Sequence, residues 1–303
     1  ALRFWPVLLI FLGLNVLVVQ ARPPLGTTLS FLLALAAAAV FGYLLLQGAP
    51  ERALGRLGLD ASAPDLRQQT FDVGLDGATS ASIDLNLGRF PTDIAPLAAG
   101  DDRLMAGVIA TYGNVDVQPR RDAAGRVAVE FGEEGGGAWF LDPRTWIDQS
   151  GQWTIGLNPD VPTDLRVDAG NAAATAALEA LTLTSLTLDA GNGGVTAALP
   201  PGDYDIALDG GNGSLTVTLP DDGVQELRLD GGNGGVTLLL PEGVAARIEY
   251  NEGNGNVNVD DRFERVSGDG DEGVYETAGY DAAAGRILMH IDTGNGRATV
   301  TAP

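Results

Sequence analysis

From about residue 70 onward, hydrophobic and polar residues alternate in short runs that Gly, Asp and Pro separate. The segment SASIDLNLGRF places Ile83, Leu85 and Leu87 on one face, and NVDVQP and RVAVEF alternate in the same way. A period of two between turn residues predicts β-strands. No amphipathic helix is predicted in this region. Residues 172–183 are rich in alanine, and they are interpreted as strand with an irregular loop.

A short phrase containing Gly-Asn returns at a nearly fixed spacing within this region. Its asparagine occurs at Asn171, Asn192, Asn212, Asn233 and Asn254, and a last copy at Asn295 lies 41 residues further on, about two periods. A fixed period near 20 with β alternation is the signature of a solenoid, in which stacked coils together bury a core. The predicted fold is therefore mainly β, a solenoid or β-helix-like domain with regular repeats over about 160–260 and closing strands over 273–300.

The alternation also predicts which side chains point into this core. In the coil at 206–219 they are Ile206, Leu208, Leu215, Val217 and Leu219. The equivalent residues of the coils before and after are Leu186, Leu188, Val195, Ala197 and Leu199, and Leu227, Leu229, Val236, Leu238 and Leu240.

The repeated asparagines are interpreted as a structural corner. Gly and Asn tolerate the positive φ angles that a tight corner requires. Coils stack about 4.8 Å apart, so the asparagine side chains would form a ladder and hydrogen-bond along it. The corner residues are Asn171, Asn192, Asn212, Asn233, Asn254 and Asn295.

An acidic residue precedes most of these asparagines by three positions, which leaves a cation site as an alternative. The series is Asp168, Asp189, Asp209 and Asp230, followed by Asn251 and then Asp292. Carboxylates stacked 4.8 Å apart repel by roughly 1 kcal/mol per pair even at the dielectric of water, so solvent or a cation such as Ca²⁺ must offset the repulsion. In the calcium β-roll the Asp follows the glycines, where this chain has Leu215 or Val236. We therefore assign no metal site.

The first 47 residues have a different pattern, with two long apolar runs at 4–20 and 28–47. About 20 such residues span a membrane, and the Pro pair between the runs suits a turn, so 1–47 are predicted to form a transmembrane hairpin. A signal peptide is the competing interpretation of the first run. A linker at 48–68 then leads to the β domain at 69–303. Arginines near the ends of the hairpin outnumber the single Arg22 of the turn, which favours a cytoplasmic β domain.

Composition excludes several classes of function. The chain has 40 acidic residues against 18 basic ones, a net charge of −22, so a nucleic-acid partner is not expected. It has no Cys and a single His, which removes thiolate metal sites, Cys nucleophiles and most Ser-His-Asp sites. No cofactor is predicted. His290 is expected to point outward from a strand into solvent. The tryptophans Trp139, Trp146 and Trp153 are expected to cap the start of the solenoid, with a binding platform as the alternative.

Three segments carry a resemblance to a known family. The segment FWPVLLIFLG, followed by a second apolar run, resembles the membrane segment of bacterial LiaF-like envelope proteins. Residues 153–200 and 273–300 resemble the toastrack domain that these proteins carry. The resemblance implies a β-solenoid-like domain on a membrane anchor, envelope-stress signalling through contacts with a sensor kinase, and no catalytic residues. Many relatives have more than the two spans predicted here.

These observations predict a two-pass protein of the bacterial cell membrane that is not an enzyme. Its function would be envelope-stress sensing or regulation through contacts with a membrane protein, such as a sensor kinase or a larger complex. The alternative is a structural module that associates with itself or serves as an accessory subunit of a membrane complex or surface array. A third hypothesis is a polysaccharide-active or calcium-dependent enzyme that uses the aspartate series.

Overall fold

The computed structural model describes residues 66–113, 115–133 and 151–303, and these form β-strands and a short 3-10 helix at Tyr280–Ala282. The first seven strands are β1 (Arg67–Gly74), β2 (Ser80–Asn86), β3 (Thr92–Pro96), β4 (Arg103–Thr111), β5 (Val115–Arg121), β6 (Arg126–Glu133) and β7 (Trp153–Leu157). The next seven are β8 (Thr163–Asp168), β9 (Ala174–Ala177), β10 (Leu183–Asp189), β11 (Gly194–Ala198), β12 (Tyr204–Asp209), β13 (Ser214–Thr218) and β14 (Val224–Asp230). The last seven are β15 (Gly235–Leu239), β16 (Ala245–Asn251), β17 (Asn256–Val259), β18 (Phe263–Asp269), β19 (Glu272–Thr277), β20 (Arg286–Asp292) and β21 (Arg297–Thr301).

Each regular coil contributes one strand to each of two sheets. Sheet A has the strand order β1-β4-β7-β3-β9-β11-β13-β15-β21-β17, and sheet B has the order β18-β19-β16-β20-β14-β12-β10-β8-β2-β6-β5. Neighbouring coils pair in parallel, as β10 does with β12 and β11 with β13. The prediction of a mainly β solenoid is therefore confirmed. Residues 172–183 contain β9 and a turn, as the interpretation of that segment required.

Equivalent residues of successive coils lie side by side and fill the space between the sheets. Ile206 pairs with Leu186 of the preceding coil and with Leu227 of the following one. All fifteen core residues predicted for these three coils are buried, with at most 4% of their surface exposed. Burying one such aliphatic side chain contributes about 1.5–3 kcal/mol, so the stacked coils stabilise one another.

The last coil is inserted between two earlier coils, so the coils do not stack in chain order. The spacing placed the copy at Asn295 about two periods beyond Asn254. In the structure β20 pairs with β14 on one side and β16 on the other, and β21 lies between β15 and β17. The inserted strand carries the same inward pattern, Ile287, Met289 and Ile291, and all three side chains are buried. The inward pattern of β20 therefore does not by itself specify which coils it joins.

An aromatic cluster closes the first end of the solenoid, where β4 pairs antiparallel with both β1 and β7. The Trp153 side chain is fully buried, and its ring meets Phe131 edge to face at 5.5 Å. Its Nε1–H donates to the carbonyl oxygen of Ala110 at 2.6 Å. A buried ring is not accessible to a ligand, so Trp153 caps the start of the solenoid and does not form a binding platform. Trp139 and Trp146 lie outside the described residues.

The β18–β19 hairpin closes the other end. β19 pairs antiparallel with β16, so it covers the edge of β16 that faces away from β20. The rings of Tyr250 and Tyr275 stack at 5.1 Å, and the Arg265 guanidinium lies 5.9 and 6.0 Å from their two centroids. Phe263 of β18 is buried as well. These side chains shield the apolar end of the core from water.

The predicted hairpin at 1–47 and nearly all of the linker at 48–68 lie outside the described residues. β1 begins at Arg67, close to the predicted start of the β domain. Among the residues that the structure describes, no helix is long and apolar enough to cross a membrane.

Candidate functional site

The six predicted corner asparagines lie in one ladder at the edge where each coil passes from sheet B to sheet A. From Asn192 onward, each Nδ2 donates to the Oδ1 of the preceding asparagine in the ladder at 2.8–3.0 Å. Along the solenoid the order is Asn171, Asn192, Asn212, Asn233, Asn295 and Asn254. The bonds run continuously through the inserted coil, so this series has a structural role at the corner.

Glycines allow the coils to approach closely at this corner. Gly211 has φ 54°, in the left-handed region that favours glycine. A Cβ atom built on Gly211 would overlap the carbonyl oxygen of Gly191 in the preceding coil. The backbone N–H of Asn212 donates to that same oxygen at 2.8 Å. A side chain here would therefore separate two coils and break the bond between them.

The aspartate series forms a second ladder, and the inserted coil extends it. Asp292 pairs with Asp230 on one side and with Asn251 on the other, so five aspartates are consecutive. The neutral Asn86 and Asn251 flank the series at its two ends. The five aspartates are Asp168, Asp189, Asp209, Asp230 and Asp292.

Backbone donors hold each carboxylate of this ladder in place. One Oδ1 of every aspartate accepts the N–H of the glycine two residues later, at 2.8–3.0 Å. The side chains are half-buried or exposed, so water reaches the remaining oxygens. Backbone dipoles and solvent thus offset the repulsion between neighbours. Within the described ranges, no group of three or more His or acidic residues is arranged to hold a metal ion.

Beside this ladder, the outer face of sheet B forms an open groove of about 750 Å³. It extends from β12 across β14, β20 and β16 to the β18–β19 hairpin. Its acidic and basic lining residues are Arg228, Asp230, Glu249, Glu272, His290 and Asp292. We call this feature the sheet B groove. It combines the end of the aspartate ladder with a second row of polar side chains.

His290 occupies the centre of that second row. The register places it between Arg228 of β14 and Glu249 of β16. Its Nδ1 lies 3.2 Å from Glu249 Oε2, and its Nε2 lies 3.5 Å from Glu226 Oε1. With 37% of its side chain exposed, His290 points outward, as the alternation predicts. Its acidic neighbours could not be predicted from the sequence, because only the insertion of β20 brings Glu226 and Glu249 to either side of it.

The sequence matches the family model described as the N-terminal domain of toast_rack, DUF2154, over residues 62–218, more than half of the chain. The chain belongs to the toast-rack family. The resemblance of residues 153–200 to a toastrack domain is thereby confirmed for the part that the match covers. The match contains the first regular coils of the solenoid, up to β13. LiaF-like membrane identity stays a prediction.

Two solved structures are similar to this chain. One is named "putative cell adhesion protein" and comes from Clostridium sporogenes; at 20% identity and a TM-score of 0.52, the match covers 79% of this chain and all of that one. The other, named "putative adhesin", comes from Bacteroides fragilis, with 11% identity, a TM-score of 0.25 and coverage of 79% and 97%. The first supports the toast-rack fold alone, and the second is too dissimilar to add an argument. No curated protein sequence matches this chain.

Proposed function

We propose that this toast-rack protein is a non-enzymatic interaction protein of the bacterial cell envelope, anchored in the membrane by residues 1–47. It acts by contact with a partner protein, in the manner of the LiaF-like proteins that its sequence resembles. Two features support the proposal: the family membership of residues 62–218 and the apolar runs at 4–20 and 28–47. The solenoid serves as a rigid carrier of side chains at fixed spacing.

The sheet B groove is the observation that carries this proposal. Its carboxylates come from Asp230, Glu249, Glu272 and Asp292, and they outnumber its basic groups. Because paired strands hold each side chain in register, the groove is already formed before a partner arrives. An extended partner segment rich in Lys or Arg would complement it, and opposite charges speed such encounters and select partners.

Site-specific cross-linking tests the contact. We would incorporate a photoreactive amino acid at Glu249, whose side chain is 47% exposed, in the full chain inside its host cell. We expect a cross-link to a second protein species that weakens as salt is raised, since screening reduces charge attraction. The matched control is Asp84, an exposed acidic residue on the same sheet at the far end. Equal cross-linking at both positions, or none at Glu249, would count against the groove.

The second candidate is a structural or adhesive module, and the name of the Clostridium sporogenes structure favours it. The side of the membrane separates the two functions. Because the chain has no Cys, Thr184→Cys at an exposed position of β10 in sheet B supplies a single label site. Labelling of intact cells by an impermeant maleimide would favour adhesion. Labelling only after lysis would favour regulation of a membrane protein from the cytoplasm.

A further inference from the structure

Over six of its ten strands, sheet A is almost free of charge. The six strands β9, β11, β13, β15, β21 and β17 contain one charged residue, Arg297. Their six partners in sheet B, from the same coils, contain nine acidic residues and four arginines. Solvent-facing sheets of an acidic protein normally carry charge, whereas depletion of charged residues marks the centre of a protein interface. The depletion is specific to one face of the solenoid.

Two rows of small, uncharged side chains cover this face. The first row contains five stacked threonines, Thr175, Thr196, Thr216, Thr237 and Thr299. The second row contains Ala177, Ala198, Thr218, Leu239 and Thr301. Leu239 is the one large apolar member of these rows, and it is half-buried although it points away from the core.

We propose that this face binds the same face of a second copy of the chain, with a two-fold axis along β13. β13 is the middle one of the seven strands β3-β9-β11-β13-β15-β21-β17. The axis therefore places β15 of one copy against β11 of the other, and β21 of one copy against β9 of the other. Leu239 then lies opposite Ala198, Thr301 lies opposite Ala177, and Thr218 meets its own equivalent. A two-fold interface requires this self-complementarity, in which large residues face small ones.

The charge of this face and its area both favour a second copy of the chain as its binding partner. Two copies that each carry a net charge of −22 repel through their other surfaces, and this face lets them approach without opposing like charges. The face holds two charged residues: Arg297 of β21 lies opposite the uncharged β9, and Asp93 of β3 lies opposite the uncharged β17. Seven strands 4.8 Å apart and five residues long cover about 34 Å by 16 Å, so two copies bury roughly 1,100 Å². This area lies at the low end of the range for specific protein interfaces. We therefore expect a weak dimer whose population depends on protein concentration.

Cross-linking tests the predicted axis. In the full chain, Thr218→Cys would be treated with a short bis-maleimide, and the chain has no other thiol. We expect a covalent dimer, because the two Thr218 side chains meet at the axis. Thr187→Cys, at an outward position of β10 in sheet B, is the control and should stay monomeric. Equal yields from the two variants, or none from Thr218→Cys at high protein concentration, would overturn the proposal.

Sedimentation equilibrium of the full chain in mild detergent tests the energetics. Leu239→Glu places a charge opposite Ala198 and should weaken dimerisation about tenfold or more. Ala207→Glu makes the same change of charge on the outer face of sheet B and should leave the dimer unchanged. Circular dichroism establishes that both variants are folded, and Ala198→Glu gives a second, independent disruption of the same contact.

Two results would contradict the proposal outright. One is that Leu239→Glu and Ala207→Glu weaken dimerisation to the same extent. The other is a chain that stays monomeric but binds insoluble peptidoglycan and loses this binding with Leu239→Glu, because the face would then belong to a polysaccharide. The Glu249 cross-link reports on sheet B, whereas the dimer uses sheet A. The proposed function and the proposed dimer are therefore tested independently.

Discussion

Replacing Gly213 by alanine tests whether close contact at the asparagine corner holds the coils together. A Cβ atom built on Gly213 would overlap the carbonyl oxygen of Gly193, which belongs to the preceding coil. Neither atom is the end of a flexible side chain, so the two backbones must separate. The clash lies in the middle of the ladder, where coils are packed on both sides.

Three of the hydrogen bonds that join the two coils near the clash give the size of the effect. The N–H of Ser214 donates to the Gly193 carbonyl at 3.1 Å, and the N–H of Asn212 donates to Gly191 at 2.8 Å. The third bond joins Asn212 Nδ2 to Asn192 Oδ1 at 2.9 Å. A separation of about 1 Å lengthens each of them beyond bonding distance. At about 1 kcal/mol for each bond, the free energy of unfolding should fall by roughly 3 kcal/mol.

Urea denaturation followed by circular dichroism measures this change. Gly235→Ala is the matched control, since a Cβ atom there meets nothing within 4 Å and the residue has no positive φ. Alanine should leave stability at that position unchanged or raise it by about 0.4–1 kcal/mol. If the free energy of unfolding of Gly213→Ala lies within about 0.5 kcal/mol of that of the parent protein, close contact between the coils is not required for stability and the prediction is wrong.

Three further changes probe the core, the pH dependence and the strand order. Leu215→Ala, at a fully buried position, should lower the free energy of unfolding by about 2–5 kcal/mol in the same urea assay. Hydrogen bonds from Arg103 lower the pKa of Asp101 to about 2. The ionised Asp101 should therefore stabilise the folded protein above about pH 4, and this contribution should be lost as the pH falls towards 2. Asp101→Asn should therefore lower the melting temperature at pH 6 but not at pH 2. Thr237→Cys combined with Thr299→Cys should form a disulfide on oxidation, seen by gel mobility, because the two residues pair directly. Stacking in chain order would place them about 10 Å apart and prevent it.

The coil and its corner could be predicted from the amino-acid sequence alone. Alternation fixes which face of each strand is buried, because successive side chains of a strand point to opposite sides. The interval of 20 or 21 residues between Asn171, Asn192, Asn212 and Asn233 sets one coil, and Gly beside Asn marks the corner. These are local properties, so the core residues and the asparagine ladder could be predicted without knowing which coils are neighbours.

The order of the coils depends on tertiary contacts and could not be predicted from the sequence. The buried faces of β14, β16 and β20 are all aliphatic or aromatic apart from Gln225, so hydrophobic pattern alone does not distinguish their neighbours. The β18–β19 hairpin covers the outer edge of β16, and the returning chain pairs between β14 and β16 instead. That insertion makes five aspartates consecutive and places His290 between Glu226 and Glu249. The sheet B groove therefore depends on contacts between residues distant in sequence, and no local pattern encodes these.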